Sequence, residues 1–186
     1  MYKYAALQII GRTAILCALL FIIIPASHAT GANAHHKAFL NDAFTGQTPA
    51  AKTLWLSKDQ HGAAKAILRH KYAGLRVRYR QEGARTVWVL DEIGKYKPIT
   101  IGVVIDGGKI KKLTVLDYRE SHGWEVKHDF FTHQFIGAHL TEKSKLEKPI
   151  DGISGATLSV RALKKLARLS LYFDSQVQDV EPRHAP

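Results

Sequence analysis

The chain has 186 residues, with 27 Lys+Arg against 16 Asp+Glu and a formal net charge of +11 at pH 7. Its single cysteine, Cys17, lies in an apolar N-terminal run, so the rest can hold no disulfide, thiolate metal site, iron–sulfur cluster or c-type haem attachment. No nucleic-acid recognition motif accompanies the charge, so we read no nucleic-acid partner; the surplus reads as solubility, or as attraction to an acidic redox partner or an anionic membrane surface.

Lys3 and Arg12 flank the start, and no acid precedes Asp42. Residues 14–24 are apolar, a run of 11 closed by Pro25. That is short of the roughly 20 a membrane span needs. Ser27-His28-Ala29 offers small residues at a cleavage site, with Ala32-Asn33-Ala34 as a second candidate. Residues 1–29 therefore read as a secretory signal peptide and place the mature chain in the periplasm or another extracytoplasmic space. The alternative is an uncleaved anchor counted from Tyr4. No adjacent Arg pair argues for export in a folded state.

Residues 30–53 are small and polar and read as a flexible linker. His35 and His36 fall here, and adjacent side chains point apart, which makes a poor metal pair. A helix is expected over 57–72, capped by Ser57, with Asp59 in its first turn, Gly74 as its stop, and Trp55 and Leu56 packed beneath it. From Leu75 the period becomes two: Leu75, Val77 and Tyr79 alternate with Arg76, Arg78 and Arg80. After a turn at 81–83 a second strand follows at 86–90, then a β-branched third at 98–105. Asp106-Gly107-Gly108 turns the chain into a fourth strand at 110–118. A short aromatic helix at 130–137 and a long helix at 156–173 complete the pattern. In the long helix Val160, Leu163, Ala167 and Leu171 make a core stripe, and Arg161, Lys165 and Arg168 line another face. The expected class is α+β: an antiparallel sheet of about four strands, one face packed with a long C-terminal helix and shorter helices. Residues 54–176 form the single domain, and 177–186 a disordered tail.

Two segments carry chemistry. The first is Asp151-Gly152-Ile153-Ser154-Gly155-Ala156-Thr157-Leu158-Ser159, which runs into the long helix. Thr157 falls in the first turn, where unpaired N–H groups and the positive end of the dipole suit a phosphate. Gly155 permits close approach and Ala156 adds little bulk. The plain alternative is a helix start capped by Ser154. The second is Arg119-Glu120-Ser121-His122-Gly123-Trp124-Glu125. Trp124 could wall a flat ring, Glu120 or Ser121 could meet a heterocycle's polar edge, and Gly123 allows close approach. Each also reads as ordinary loop or core.

Ser-Gly-Ala-Thr with Asp151 three residues ahead resembles the attachment motif of the FMN-binding domain family. That family includes the FMN-carrying subunits of the sodium-pumping NADH:quinone oxidoreductase and of the Rnf complex. Glu120-Ser121-His122-Gly123 is similar to the family's Glu-Thr-Pro-Gly stretch, with Ser for Thr and His for Pro. Gly94-Lys95-Tyr96-Lys97-Pro98 and the hairpin at Asp106-Gly107 also look like the family pattern, so the resemblance spans 94–172. It implies FMN bonded through its phosphate to Thr157, made from FAD by a magnesium-dependent flavin transferase after export. The implied site is Asp151, Ser154, Gly155, Ala156, Thr157, Leu158 and Ser159 with Glu120, Ser121, Gly123 and Trp124. Arg119 is expected beside the ring, raising its potential.

The chain shows no Gly-x-Ser-x-Gly elbow and no dinucleotide-binding Gly-x-Gly-x-x-Gly. His122, His128, His133 and His139 lack the spacing of a helical zinc pair, and no metal site is assigned. The resulting expectation is a flavoprotein relaying electrons between redox partners, one of which can be membrane-bound. The alternatives are a flavin-binding sensor or interaction module without turnover, and a reductase of a small substrate using His122 as proton donor.

Overall fold

The structure, a computed structural model, describes residues 30–178. The apolar run, the first cleavage site and most of the C-terminal tail lie outside the described residues.

The element order is α1 (Thr30–Ala43), β1 (Lys52–Trp55), α2 (Lys58–Leu68), β2 (Arg76–Glu82), β3 (Arg85–Ile93), β4 (Pro98–Asp106), β5 (Lys109–Tyr118), α3 (Asp129–Thr132) and α4 (Thr157–Gln178). Two 3-10 turns, Trp124–Lys127 and His133–Phe135, flank α3. The strands form one antiparallel meander in the order β1-β2-β3-β4-β5. The class is α+β as expected, with five strands where four were read. The added strand, β1, is only four residues long, too short to show a period of two.

The main core lies between the sheet and α2, α3 and α4. Ile99, Ile101, Val103 and Ile105 of β4 meet Val160, Leu163, Leu166 and Ala167 of α4 there. Trp88 is fully buried, stacked on Tyr79 at 4.7 Å and tilted against Phe173 at 5.7 Å. Its Nε1 donates to Thr86 Oγ1, and Thr86 in turn donates to Asp174. The row expected at Arg161, Lys165 and Arg168 is only partly a free surface. Lys165 Nζ reaches buried Glu92 at 2.8 Å, and Arg168 Nε donates to the Ser144 carbonyl.

The expectation of one covered face is corrected by α1. Residues 30–53, read as a flexible linker, contain this helix and the start of β1. Phe39, Ala43 and Phe44 bury against Val87, Val104 and Leu116 on the opposite face of the sheet. The Phe39 ring lies where a side chain on Gly102 would stand. The large apolar residues of α1 are Phe39 and Leu40 alone, so its partner in the sheet cannot be read from its own pattern.

Local differences have local causes. α2 starts at Ser57, as read, with Ser57 and Gln60 closing a full capping box, but ends at Arg69 in a left-handed conformation, short of Tyr72. Trp55 and Leu75, placed in the core by the pattern, are 65% and 72% exposed. They sit on the edge pair, and Arg76 covers the Trp55 ring at 5.4 Å. The aromatic helix breaks into α3 and a 3-10 turn, with Phe131 and Phe135 buried and Phe130 exposed. α4 runs to Gln178 with Val177 buried, so the first two residues of the expected tail are helical.

Candidate functional site

The β3–β4 turn, the loop after β5 and the start of α4 converge at one end of the sheet. Glu120 brings the first two together. Its Oε1 accepts the backbone N–H groups of Lys95, Tyr96 and Lys97 at 2.5, 2.7 and 2.9 Å. These bonds, led by that from Lys97, hold the Glu120 carboxyl below its ordinary value. A carboxylate gains most from three donors converging on one oxygen. A side chain on Gly94 would press on Glu120, so the turn closes tightly on the carboxylate.

Tyr118, the last residue of β5, ties the loop to α4. Its hydroxyl donates to the His122 carbonyl at 2.5 Å. With its one proton used there, it accepts from Ser159 Oγ at 2.8 Å. Burial pushes the Tyr118 phenol up. Gly123, at φ +83, fits beneath: a Cβ there would stand 3.0 Å from both Ser159 Oγ and the Tyr118 hydroxyl.

α4 begins without a side-chain cap. Gly155, at φ +80, turns the chain so that Ala156 N–H bonds the Ile153 carbonyl. The Ala156 carbonyl then accepts from Val160 N–H at 2.9 Å, which makes buried Ala156 the N-cap and exposed Thr157 the first helical residue. Ser154 is two residues too early to cap, so that plain reading does not hold. The alanine side chain offers no oxygen, and no hydrogen bond among the described residues uses the N–H groups of Thr157, Leu158 or Ser159. Unpaired first-turn donors and the dipole both favour an anion at this point.

A cleft of about 590 Å³ opens between these segments. It is lined by Lys95 and Tyr96, by Glu120, Ser121 and His122, and by Gly155, Ala156, Thr157, Leu158 and Ser159. The volume lies within the range typical of small-molecule and cofactor sites, roughly 300–1,000 Å³. Of the expected residues, Asp151, Ser154, Gly123 and Trp124 are not in its lining. Asp151 lies on the approach to the motif, its N–H bound to Gln134 Oε1 at 2.7 Å. Trp124 is half exposed and packs edge-on to His128 at 5.1 Å. Arg119 also turns away, holding Asp117 at 3.1 Å and Thr100 Oγ1 at 3.1 Å. The cation that lines the cleft is Lys95, and the aromatic that lines it is Tyr96. Sequence reading noted their segment but gave them no role, because the tie that fixes that turn at the site, from Glu120, comes from 25 residues away along the chain.

The cleft therefore offers a threonine hydroxyl beside free backbone donors, an aromatic wall, a cation, and hydrogen-bonding side chains. That set suits a phosphorylated planar heterocycle. Residues 94–171 match the family model described as FMN-binding domain. No curated protein matches the chain. β1, β2, most of β3, α1 and α2 lie ahead of the matched stretch. The turn at 95–97, the loop at 120–123 and the start of α4 all fall inside it, and this match to the FMN-binding domain model supports a flavin-binding protein.

Proposed function

We propose that this chain is an extracytoplasmic electron carrier with FMN bonded through its phosphate to Thr157. The observation that carries the reading is the exposed Thr157 hydroxyl in the cleft, next to three helix-start N–H groups with no acceptor among the described residues. In the attachment, Thr157 Oγ1 forms the bond to the phosphorus attached to the flavin ribityl chain. The pyrophosphate bond of FAD breaks, AMP leaves, and a flavin transferase with Mg²⁺ takes the hydroxyl proton. The N–H groups of Thr157, Leu158 and Ser159 would then stabilise the remaining phosphoester charge by about 0.3–1 kcal/mol. Tyr96, Lys95, Ser121 and His122 would hold the ring, and the clamp at Tyr118 and Glu120 would hold the loop. Bound there, the flavin supplies the redox chemistry, and the protein sets its exposure and potential. A bond keeps the cofactor at a fixed local concentration in a compartment where free FMN is diluted away.

The apolar leader supports an extracytoplasmic location, and the absence of a dinucleotide fingerprint favours a relay over an enzyme with its own NADH site. Among the described residues, no helix is long and apolar enough to cross a membrane. The test is intact mass and absorbance of the exported protein co-expressed with a flavin transferase, beside Thr157→Val. The expected result is a yellow wild type carrying one bonded FMN and a colourless variant. A wild type of unmodified mass, with a known substrate of the same transferase modified in parallel, overturns the bond. A flavinylated protein that cannot be reduced and reoxidised would instead be a sensor or scaffold.

A further inference from the structure

We infer that the cleft end of this molecule docks on an anionic lipid surface, so that the flavin proposed above faces the membrane. Three features at that end carry the inference. The first is exposed apolar surface around the cleft. Ile93, Tyr96, Trp124 and Leu158 are 53%, 76%, 50% and 37% exposed. They stand at the β3–β4 turn, the loop after β5 and the start of α4, the segments joined by Glu120, Tyr118 and Gly123.

The second is charge. Lys95, Lys97 and Lys127 are exposed on the same segments. Three lysines there face two carboxylates: Glu120, whose Oε1 accepts three backbone N–H groups of the turn, and Glu125, whose Oε2 is buried. Aromatic side chains interleaved with lysines suit the headgroup region, where the ring enters the apolar boundary and the ammonium stays at the phosphates. Beyond residue 29 the chain carries 25 Lys+Arg against 16 Asp+Glu, a surplus that draws it toward such a surface.

The third is the direction of α1. His36 Nε2 meets Asp117 at 2.9 Å and Asp42 meets Lys112 at 2.6 Å. α1 therefore runs antiparallel to β5, its N-terminal end toward Tyr118. The six residues ahead of His36 in α1 extend it by about 9 Å at 1.5 Å per residue. The first turn of α1 is thus carried toward the cleft end. A leader retained there would tether that end, and one that is cleaved leaves the rim to act alone.

The experiment is lysine footprinting. The exported full chain is acetylated with phosphatidylcholine vesicles, with or without phosphatidylglycerol, and the rate at each lysine is read by peptide mass. The expected result is several-fold slower modification of Lys95, Lys97 and Lys127 with the anionic vesicles only. Lys109, Lys111 and Lys143, at the opposite end, keep their rates. K95Q/K97Q/K127Q should lower vesicle association at least about tenfold, while K109Q/K111Q/K143Q leaves it nearly unchanged. Equal losses in the two triple variants, or uniform protection, overturn the inference in favour of unspecific charge attraction. No protection at all overturns it in favour of a protein partner on the rim. Thr157→Val keeps the rim and is footprinted alongside. Protection in it without any flavin in the wild type would leave docking standing and the flavin bond refuted, and the reverse would refute docking alone.

Discussion

At the scale of single residues, two glycines with left-handed φ do different work. A Cβ on Gly123 would crowd Ser159 Oγ, the Tyr118 hydroxyl and the Ala156 Cβ, at 3.0, 3.0 and 3.2 Å, whereas Gly155 has nothing within 4 Å. Gly123→Ala should therefore cost about 2–3 kcal/mol from backbone strain plus displacement of the loop, and Gly155→Ala about 1–2 kcal/mol from backbone strain alone. Urea unfolding of the two variants checks the order, and equal costs would mean that the loop is not clamped on α4. Glu120 is a second decisive residue. Its lowered pKa contributes stability above the ordinary glutamate range, and that contribution is lost as pH falls through the folded value. The turn carrying Lys95 and Tyr96 should loosen in acid before the rest of the sheet does, which amide hydrogen exchange of residues 94–97 at falling pH would detect.

At the scale of elements, the start of α4 leaves its first backbone donors open. A capping side chain would satisfy its first donors, yet buried Ala156 occupies that position. Packing of Val160, Leu163, Ala167 and Leu171 holds the helix in place of a cap. The stripe was legible from the 3.6-residue period, and the β4–β5 hairpin from its two glycines. α1 was not legible, because the apolar residues that seat it belong to β3, β4 and β5. Phe39→Ala should cost about 3 kcal/mol or more, since the ring is 6% exposed and fills the space over Gly102. Chemical denaturation measures it. A change below about 0.5 kcal/mol would mean that α1 is not held on the sheet.

At the scale of the whole molecule, the buried line Trp88–Thr86–Asp174 sets a pH dependence. Asp174 is 1% exposed, and burial raises its pKa against the lowering effect of Thr86 and Gln178. A raised folded pKa gives stability that is full below the ordinary aspartate range and is lost as pH rises through the folded value. The Asp174 contribution to the thermal midpoint should therefore fall as pH rises above the ordinary aspartate range. Asp174→Asn keeps an acceptor for Thr86 and removes the titration, so its midpoint should vary less over the same window. Parallel profiles for the two proteins would show that Asp174 is not the group responsible. Asp174 lies at the other end of α4 from Thr157, so this titration is expected to leave the proposed flavin attachment unchanged.

By itself the sequence determined the class of fold, the hairpin, the core stripe of the long helix, and the Asp-x-x-Ser-Gly-Ala-Thr motif that points to a flavin phosphate. Each is a local pattern, written in neighbouring residues or in one helical period. Only the tertiary structure decided what surrounds Thr157. Lys95 and Tyr96 reach the cleft because a glutamate far along the chain gathers their backbone, and Arg119 leaves it because Asp117 and Thr100 compete for the guanidinium. The second covered face of the sheet was decided in the same way. Hydrogen bonds and packing between distant segments have no period, and they exist only once the chain has closed on itself.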